Sequence, residues 1–542
     1  MKWLRKAVPT TNVLDRLVVV SWNFSLLSIT AGMTLSFFLF GFWYPYWRIA
    51  DMDFWMVYNG FLLNAGLPQE YFDHPGYLTI LSIAGWFRFL HSLGLLEVSS
   101  FLAIPPLSDS VGFALAWTYA TQAARVLSLG IAIVFVLMFA FLLRVLVRDW
   151  RVAALGAFAL AFSGGLEMQL RIVRTELVAG ALTTFAVLIV IIAARTDRTG
   201  WRPFLMGLAS FASVLAMLNK VQAIFLICVL PIIAFSFGPC VRVQTSIWRN
   251  SLRGFFATAG LIVLGALLAE LALPLISEGL SSSLSLNSRV RDLLGSPGAY
   301  QSVVICWIAA SMLAFAVAYR IPVTELVAAT AMVTIGGVLS LLVLTIQYNP
   351  NNVAVVTNPL EQMYNFAAGA YPQLGEGDGL FSIQRIGFVL RAIVGVVARR
   401  TFIFHSSPRP TIFLEWFVIA ATIFAWRRRQ YNLVMQAGAL MCSVWLVDLL
   451  GMGRDLKLEY FIFTDPLVVI AAALLLSQLD KLQNHRWALT IGITLVVAHI
   501  AVSQAEPVKH VFKRAGPEIL CGLYHHAKRV EHFEFCSNSS TQ

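Results

Sequence analysis

The sequence predicts an all-α polytopic membrane protein, and composition, apolar segments and charge distribution support this class. Of its 542 residues, 58% are hydrophobic and only 12% are charged. A soluble domain carries about 25% charged residues, so a water-soluble fold of this size could not enclose so much apolar surface. Soluble enzymes and nucleic-acid-binding proteins are thereby excluded. The six cysteines are too sparse for a disulfide scaffold.

Apolar segments long enough to cross a bilayer recur along the chain. A helix needs about 20 mostly apolar residues to cross the hydrocarbon core, and we assign thirteen such segments. They lie near residues 17–42, 119–146, 152–168, 178–194, 203–219, 221–238, 255–275, 301–319, 323–346, 411–426, 431–450, 460–478 and 487–504. The basic N-terminal stretch has no small-residue cleavage site before the first segment, so this segment is predicted to be an uncleaved anchor.

The distribution of charge orients the predicted helices. With the N-terminus in the cytoplasm, the inner connections carry 19 of the 39 basic residues but only five of the 28 acidic ones, as the positive-inside rule requires. An odd number of spans then places the tail 505–542 in the periplasm of a cell inner membrane. Cys521 and Cys536 in that tail are predicted to form a disulfide, with two free thiols as the alternative.

Residues 1–504 form the predicted membrane domain, which has two long outer loops, 43–118 and 347–410. Each contains an apolar stretch, 76–96 or 385–404, which we interpret as a helix lying in the outer interface. If either stretch crossed the membrane, clusters of arginine would move to the outside. Short inner and long outer loops favour an enzyme working on the outer face over a channel.

The first outer loop carries the densest group of polar residues. Asp51 and Asp53 begin a predicted amphipathic interfacial helix, and an Asp73-His74-Pro75-Gly76 turn follows. Helix capping is the simplest interpretation of such acids, because Asp is a favoured N-cap residue. Helix capping would explain one Asp at this position, but it explains two at the membrane face less well.

These motifs resemble those of the GT-C glycosyltransferases, in particular the protein-mannosyltransferase-like group with its bacterial lipid A aminoarabinose transferases. Asp51-Met52-Asp53 is similar to the modified DxD motif of that superfamily. Phe72-Asp73-His74-Pro75-Gly76 is similar to its DHPP signature, although the family usually has Pro-Pro where this chain has Pro75-Gly76. The later matches are Ala123-Ala124-Arg125, the segment Arg171–Glu176 and Leu218-Asn219-Lys220. The resemblance covers about residues 15–240, and the thirteen predicted spans agree with it.

The resemblance implies transfer of a sugar from a polyprenyl-phosphate donor to an acceptor hydroxyl at the periplasmic face, with inversion. Asp51 or Asp53 would be the general base that such a hydroxyl needs. Fixed cations would stabilise the leaving phosphate. The candidate donor-binding residues are Asp73, His74, Arg125, Arg171, Arg174, Glu176, Lys220, Arg454 and Lys457. The acceptor could be a lipid, a polysaccharide or a protein. No cofactor is implied, and a divalent metal on the two acids and His74 stays open.

Several of these residues also have structural interpretations. Arg125 could snorkel to the interface, and His74 could cap its turn. Arg174 and Glu176 could form an ion pair, but residues two apart do not face each other on a continuous helix, which favours separate roles. Lys220 has apolar neighbours on both sides, and charges between closely spaced spans tend to be functional. Three acids in the apolar segments are predicted to be paired inside the bundle: Glu270, Asp448 and Asp465.

Two other classes of membrane protein compete with this prediction. A secondary transporter or lipid flippase would share the many spans and buried acids, but it would more often show paired repeats and broken helices. An O-antigen ligase or polymerase would carry its functional residues in one large late loop. No paired repeats or matching broken segments are evident in the sequence, and large outer loops are present, which argues against the first class. The motifs in the first loop argue against the second.

Overall fold

The computed structural model describes residues 13–47, 50–67, 69–70, 76–196, 200–238, 297–343, 383–403, 409–451, 456–482, 485–504 and 529. Within these ranges the chain is helical and contains no β-strand. The all-α part of the prediction is therefore confirmed for this part of the chain.

The helices coincide with the predicted apolar segments and with the two stretches assigned to the long loops. In chain order they are α1 (Val13–Phe40), α2 (Trp55–Asn64), α3 (Tyr77–Ser92), α4 (Ser110–Val147), α5 (Trp150–Ala161), α6 (Gly164–Arg171), α7 (Thr175–Arg195), α8 (Trp201–Asn219), α9 (Ala223–Ser236), α10 (Pro297–Tyr319), α11 (Val323–Val343), α12 (Ile383–Thr401), α13 (Ile412–Arg427), α14 (Tyr431–Gly451), α15 (Asp465–Leu482) and α16 (His485–Ser503). A π-turn (Ala50–Phe54) precedes α2, and short 3₁₀ turns lie at Phe101–Ala103 and Leu458–Phe463.

Six helices in the described ranges are long and apolar enough to cross a membrane, namely α1, α4, α7, α8, α11 and α14. The bent pair α5 and α6, which meet at 58°, would raise this number to seven if it forms one span. The thirteen predicted spans are therefore matched only in part. Helices α9 and α13 have 14 and 16 residues, fewer than the about 20 needed to cross the hydrocarbon core unaided. The predicted segment 255–275 lies outside the described ranges.

The first long loop, residues 43–118, packs on a protruding end of α4. This helix has 38 residues and at 1.5 Å per residue is roughly 57 Å long, well beyond the roughly 30 Å hydrocarbon core. Its first turns carry Phe113 and Trp117, which pack with Phe54, Tyr58 and Phe61 of the loop in an apolar core of their own. The loop is therefore a folded layer and not a flexible connection.

The helix at the start of this loop differs from the prediction. Residues Trp55–Leu62 of α2 are all buried, so α2 is enclosed by protein on every side instead of resting one apolar face on the interface. Helix α3 and the end of α4 cover it, and Ile83 of α3 fits against Gly60. Helix α3 itself is a separate helix of 16 residues, shorter than a membrane span.

The late loop helix α12 has one buried and one exposed side. Leu390, Ile393 and Val397 are exposed, as expected for residues that face lipid, whereas Val396 is buried. Val396 lies on the side that packs against the bundle together with Ala392 and Arg400.

The main core surrounds α15 and the alanine-rich α5. Residues 465–476 of α15 are buried without interruption, and Gly156 of α5 approaches Leu143 of α4 and Val469 of α15. Small residues at such contacts let helices approach closely in a membrane. This core holds α6, α7 and the segment 456–465 together at the end of the bundle where the charged residues gather.

Candidate functional site

Asp53 and Arg125 form a buried ion pair between the first long loop and α4. Arg125 Nη2 lies 2.6 Å from Asp53 Oδ2, and both side chains are fully buried. Arg125 Nε donates to the same oxygen over 3.1 Å. Asp53 Oδ1 accepts a hydrogen bond of 2.7 Å from the backbone N–H of Val173. Both carboxylate oxygens are therefore engaged, so Asp53 is not a helix cap and Arg125 does not snorkel to the interface.

The Arg125 guanidinium also fixes the chain that leaves α1. It donates to the carbonyl oxygens of Tyr44 over 2.5 Å and Pro45 over 3.3 Å. These carbonyls follow the end of α1, and the guanidinium gives each of them a hydrogen-bond donor. One side chain on α4 thus joins the end of α1, the Asp53 turn and, through Asp53, the segment between α6 and α7.

Glu176 joins two of the predicted phosphate-binding cations. Lys220 Nζ lies 2.8 Å from Glu176 Oε1, and Arg174 Nε lies 3.3 Å from Glu176 Oε2. The two side chains therefore face each other, contrary to the expectation from their spacing. Helix α7 begins only at Thr175 and Arg174 is extended, so the spacing rule for a continuous helix does not apply to this pair.

The segment around Lys220 also holds the chain that follows the Asp73-His74-Pro75 motif. The backbone N–H of Gly76 donates to Asn219 O over 3.1 Å, and the N–H of Thr79 donates to Asn219 Oδ1 over 3.0 Å. Asn219 Nδ2 in turn donates to Thr175 O over 2.6 Å. Gly76, the last residue of the first motif, is thus anchored to the motifs at residues 174–176 and 219–220.

Arg171 pairs with Glu167, a residue that sequence reasoning missed. The two side chains form an ion pair one turn apart on α6, and Ser36 of α1 donates to Glu167 and accepts from Arg171 over 2.7 Å. A Glu four residues before an Arg on a helix face is a pairing signal that could have been read from the sequence. The signal was missed because the predicted membrane span 152–168 includes Glu167 and ends before Arg171.

Glu459, the second missed acid, reaches Arg174 from the turn Leu458–Phe463. Its Oε1 lies 3.2 Å from Arg174 Nη2. Burial by itself would lower the pKa of the Arg174 guanidinium, but the charges of Glu176 and Glu459 outweigh that effect and raise its pKa. Arg174 is therefore cationic at any physiological pH. The four cations Arg125, Arg171, Arg174 and Lys220 each have a carboxylate partner in the described part of the chain.

A second buried network lies at the other end of the segment 456–465. Arg409 Nη1 lies 2.7 Å from Asp448 Oδ2, and Arg400 Nε lies 2.9 Å from Glu415 Oε2. Arg409 also pairs with Glu415, and its Nη2 lies 3.5 Å from Asp465 Oδ1. The predicted pairing of Asp448 and Asp465 inside the bundle is confirmed, while Glu270 lies outside the described ranges. The partner Arg409 follows α12 and was not singled out from the sequence.

Several predicted site residues lie outside what the structure describes. They are the side chain of Asp51 and the residues Asp73, His74, Arg454, Cys521 and Cys536. Lys457 is described and its side chain is exposed beside the turn that carries Glu459. Their proposed roles stay predictions.

The described residues contain no group of three or more His, Cys, Asp or Glu side chains arranged to hold a metal ion. This observation does not extend to the proposed set of Asp51, Asp53 and His74, because only the Asp53 side chain of that set is described.

Comparisons with family models, with curated proteins and with solved structures find no significant match to this chain. The function is therefore argued from the residues and the geometry of this site.

Proposed function

We propose that this protein is an integral membrane glycosyltransferase of the GT-C type, with thirteen spans. It would transfer a sugar from a polyprenyl-phosphate donor to an acceptor hydroxyl at the outer face of the inner membrane. One observation carries the proposal: Asp53, Arg125, Arg174, Glu176 and Lys220, which the resemblance selected from separate motifs, are joined by ion pairs and one backbone hydrogen bond.

The two acids of the Asp51-Met52-Asp53 motif have different roles in this proposal. Asp53 uses both oxygens for Arg125 and the Val173 N–H, so neither oxygen is left to face an acceptor and its carboxylate serves to position the loop. Asp51 is then the general base that takes the proton of the acceptor hydroxyl as its oxygen attacks the anomeric carbon. The bond between this carbon and the phosphate oxygen breaks, and the phosphate leaves with the bonding electrons.

The cations of the site suit the leaving group. Arg binds phosphate in a bidentate manner and Lys acts as a point charge. Because Arg174 and Lys220 are almost fully buried, their charges act in a medium of low dielectric constant, where electrostatic stabilisation of a transition state is strongest. Glu176 holds both side chains in place before a donor arrives, so little reorganisation is needed during the reaction.

Sugar transfer by purified full-length protein in lipid, from a panel of polyprenyl-phosphate donors, tests the proposal. Asp51→Asn should abolish transfer while the protein stays folded. Asp53→Asn should reduce transfer together with the melting temperature, because it breaks the pair with Arg125. Unchanged sugar transfer by Asp51→Asn would show that Asp51 is not the general base. An absence of transfer from every donor would argue against glycosyltransferase activity.

A lipid flippase or secondary transporter is the second candidate, and the bend of 58° between α5 and α6 favours it. Broken helices often form the binding sites of transporters. A transporter would move its substrate between the two sides of sealed vesicles without chemical change, whereas the transferase would release a free polyprenyl phosphate. Analysis of the lipid product therefore separates the two candidates.

A further inference from the structure

Arg174 is the one site cation with carboxylate partners from two different parts of the chain, according to the ion pairs of the described residues. Glu176 is fully buried and also binds Lys220, so it cannot leave Arg174 without disturbing a second cation. Glu459 is 13% exposed at its side chain and is the most accessible acid in the cluster. Movement of the Glu459 carboxylate away from Arg174 would break only the ion pair between these two residues.

The backbone of Glu459 is held independently of its carboxylate. Gln169 Nε2 donates to Glu459 O over 3.1 Å, and Ile462 of the same turn packs against Gly180 of α7. Further along, Thr464 Oγ1 donates to Asp448 Oδ1 over 2.9 Å. The Glu459 side chain can therefore rotate away from Arg174 while the turn stays in place.

Arg171, three residues before Arg174, has a hydrogen-bond donor that could bind an anion. Arg171 is buried, and its Nε–H has no hydrogen-bond acceptor among the residues that the structure describes. Buried polar groups are nearly always hydrogen-bonded, so such an orphan donor calls for an explanation. Arg171 ends α6 and Arg174 precedes α7, so the two cations lie at the two ends of one short link.

We propose that Glu459 is a displaceable carboxylate that occupies the phosphate position at Arg174 until a lipid-linked phosphate replaces it. The inference rests on the proposed function for the identity of the anion, a phosphate carried by a prenyl chain. The carboxylate keeps the buried guanidinium paired when no donor is bound. It also makes donor binding an exchange of one anion for another, which lowers the apparent affinity by the free energy of the internal pair.

Glu459→Gln removes the competing charge and retains the side-chain shape. We expect it to tighten binding of undecaprenyl phosphate by roughly fivefold, the weight of one ion pair at a guanidinium that Glu176 still pairs. Binding of undecaprenol, which lacks the phosphate, should stay unchanged. Native mass spectrometry of the full-length protein in zwitterionic nanodiscs measures both lipids in the same way. Glu97→Gln is the matched control, because Glu97 is an exposed acid of the first long loop and its loss changes the net charge equally.

Unchanged or weaker binding of undecaprenyl phosphate by Glu459→Gln would overturn the inference, as would equal tightening by Glu97→Gln. The assay requires no sugar transfer, so it is independent of the test of the enzyme. If Glu459→Gln binds undecaprenyl phosphate more tightly but the protein transfers sugar from no donor, Glu459 competes with an anionic lipid and the proposed glycosyltransferase activity is contradicted. Transfer without tightening would keep the enzyme and remove the role of Glu459.

Discussion

Charged side chains at the site are buried as ion pairs, and several of the partners come from distant parts of the chain. Arg125 and Asp53 are 72 residues apart, and neither is exposed. Burial of a charge is costly unless it is paired and hydrogen-bonded. A buried pair is thus weak evidence for added stability, but the loss of one partner leaves an uncompensated charge. Such residues position the loop and are sensitive to single substitutions.

The buried pair of Arg125 and Asp53 leads to a prediction about stability. Arg125→Gln and Asp53→Asn should each lower the free energy of unfolding by about 3–5 kcal/mol, because each leaves a buried charge without its partner. The double variant should lose less than the sum of the two, since it leaves neither charge behind. Thermal unfolding of the four proteins in one detergent provides the double-mutant cycle, and strictly additive losses would contradict the pair.

At the scale of helices, the short helix α6 is positioned by glycine. A Cβ atom on Gly165 would lie 2.9 Å from the backbone N of Ile462, closer than such atoms approach. Glycine therefore allows α6 to pack directly on the turn that carries Glu459. This contact places Gln169 of α6 beside Glu459, and it depends on backbone proximity that a larger side chain would prevent.

Gly165→Ala should separate α6 from the turn Leu458–Phe463 and lower stability by about 1–3 kcal/mol, the usual cost of an overpacked contact. The matched control is Gly85→Ala in α3, where a Cβ would meet no atom within 4 Å. It should be neutral or stabilising by up to about 1 kcal/mol, because alanine is the better helix former. Melting temperatures of both variants measure the difference, and equal behaviour would show that the close approach does not matter.

At the scale of the whole molecule, the C-terminal tail meets the first long loop. Arg529 Nε lies 2.8 Å from Glu70 Oε1, and Tyr58 donates to the other Glu70 oxygen over 2.6 Å. Burial and this hydrogen bond raise the pKa of Tyr58, so it stays protonated as the donor. A contact between residue 529 and residue 70 requires the tail and the loop to lie on the same side of the membrane, in agreement with an odd number of spans.

Labelling with a membrane-impermeant maleimide tests this arrangement in intact cells. Variants that retain one cysteine each are required: the native Cys536 in the tail, Leu95→Cys in the first long loop, and Arg428→Cys between α13 and α14. Leu95 and Arg428 are exposed. We expect the first two to react from outside and Arg428→Cys only after the membrane is permeabilised. Reaction of Cys536 and Leu95→Cys from opposite sides would contradict both the contact and the span number.

Local patterns were enough to predict several of the helices, although the predicted segment 152–168 contains the break between α5 and α6. Runs of apolar residues identify α1, α4 and α7 because hydropathy is a property of a short window of sequence. The charged motifs were also found locally, since Asp53, Arg125 and Lys220 are conspicuous between apolar segments. The environment of α2 was not predictable. Residues of α3 and α4 surround it, and only the tertiary structure brings them there.

The sequence by itself determined that this is a helical membrane protein and which charged residues stand near the ends of its helices. Only the tertiary structure decided which acid meets which base where the two are far apart in the chain. Glu176 with Lys220, Arg174 with Glu459 and Arg409 with Asp448 are separated by 44, 285 and 39 residues. The physical reason is that hydropathy acts over a single helix, whereas a buried charge takes whichever opposite charge the packing of several helices brings within a few ångströms.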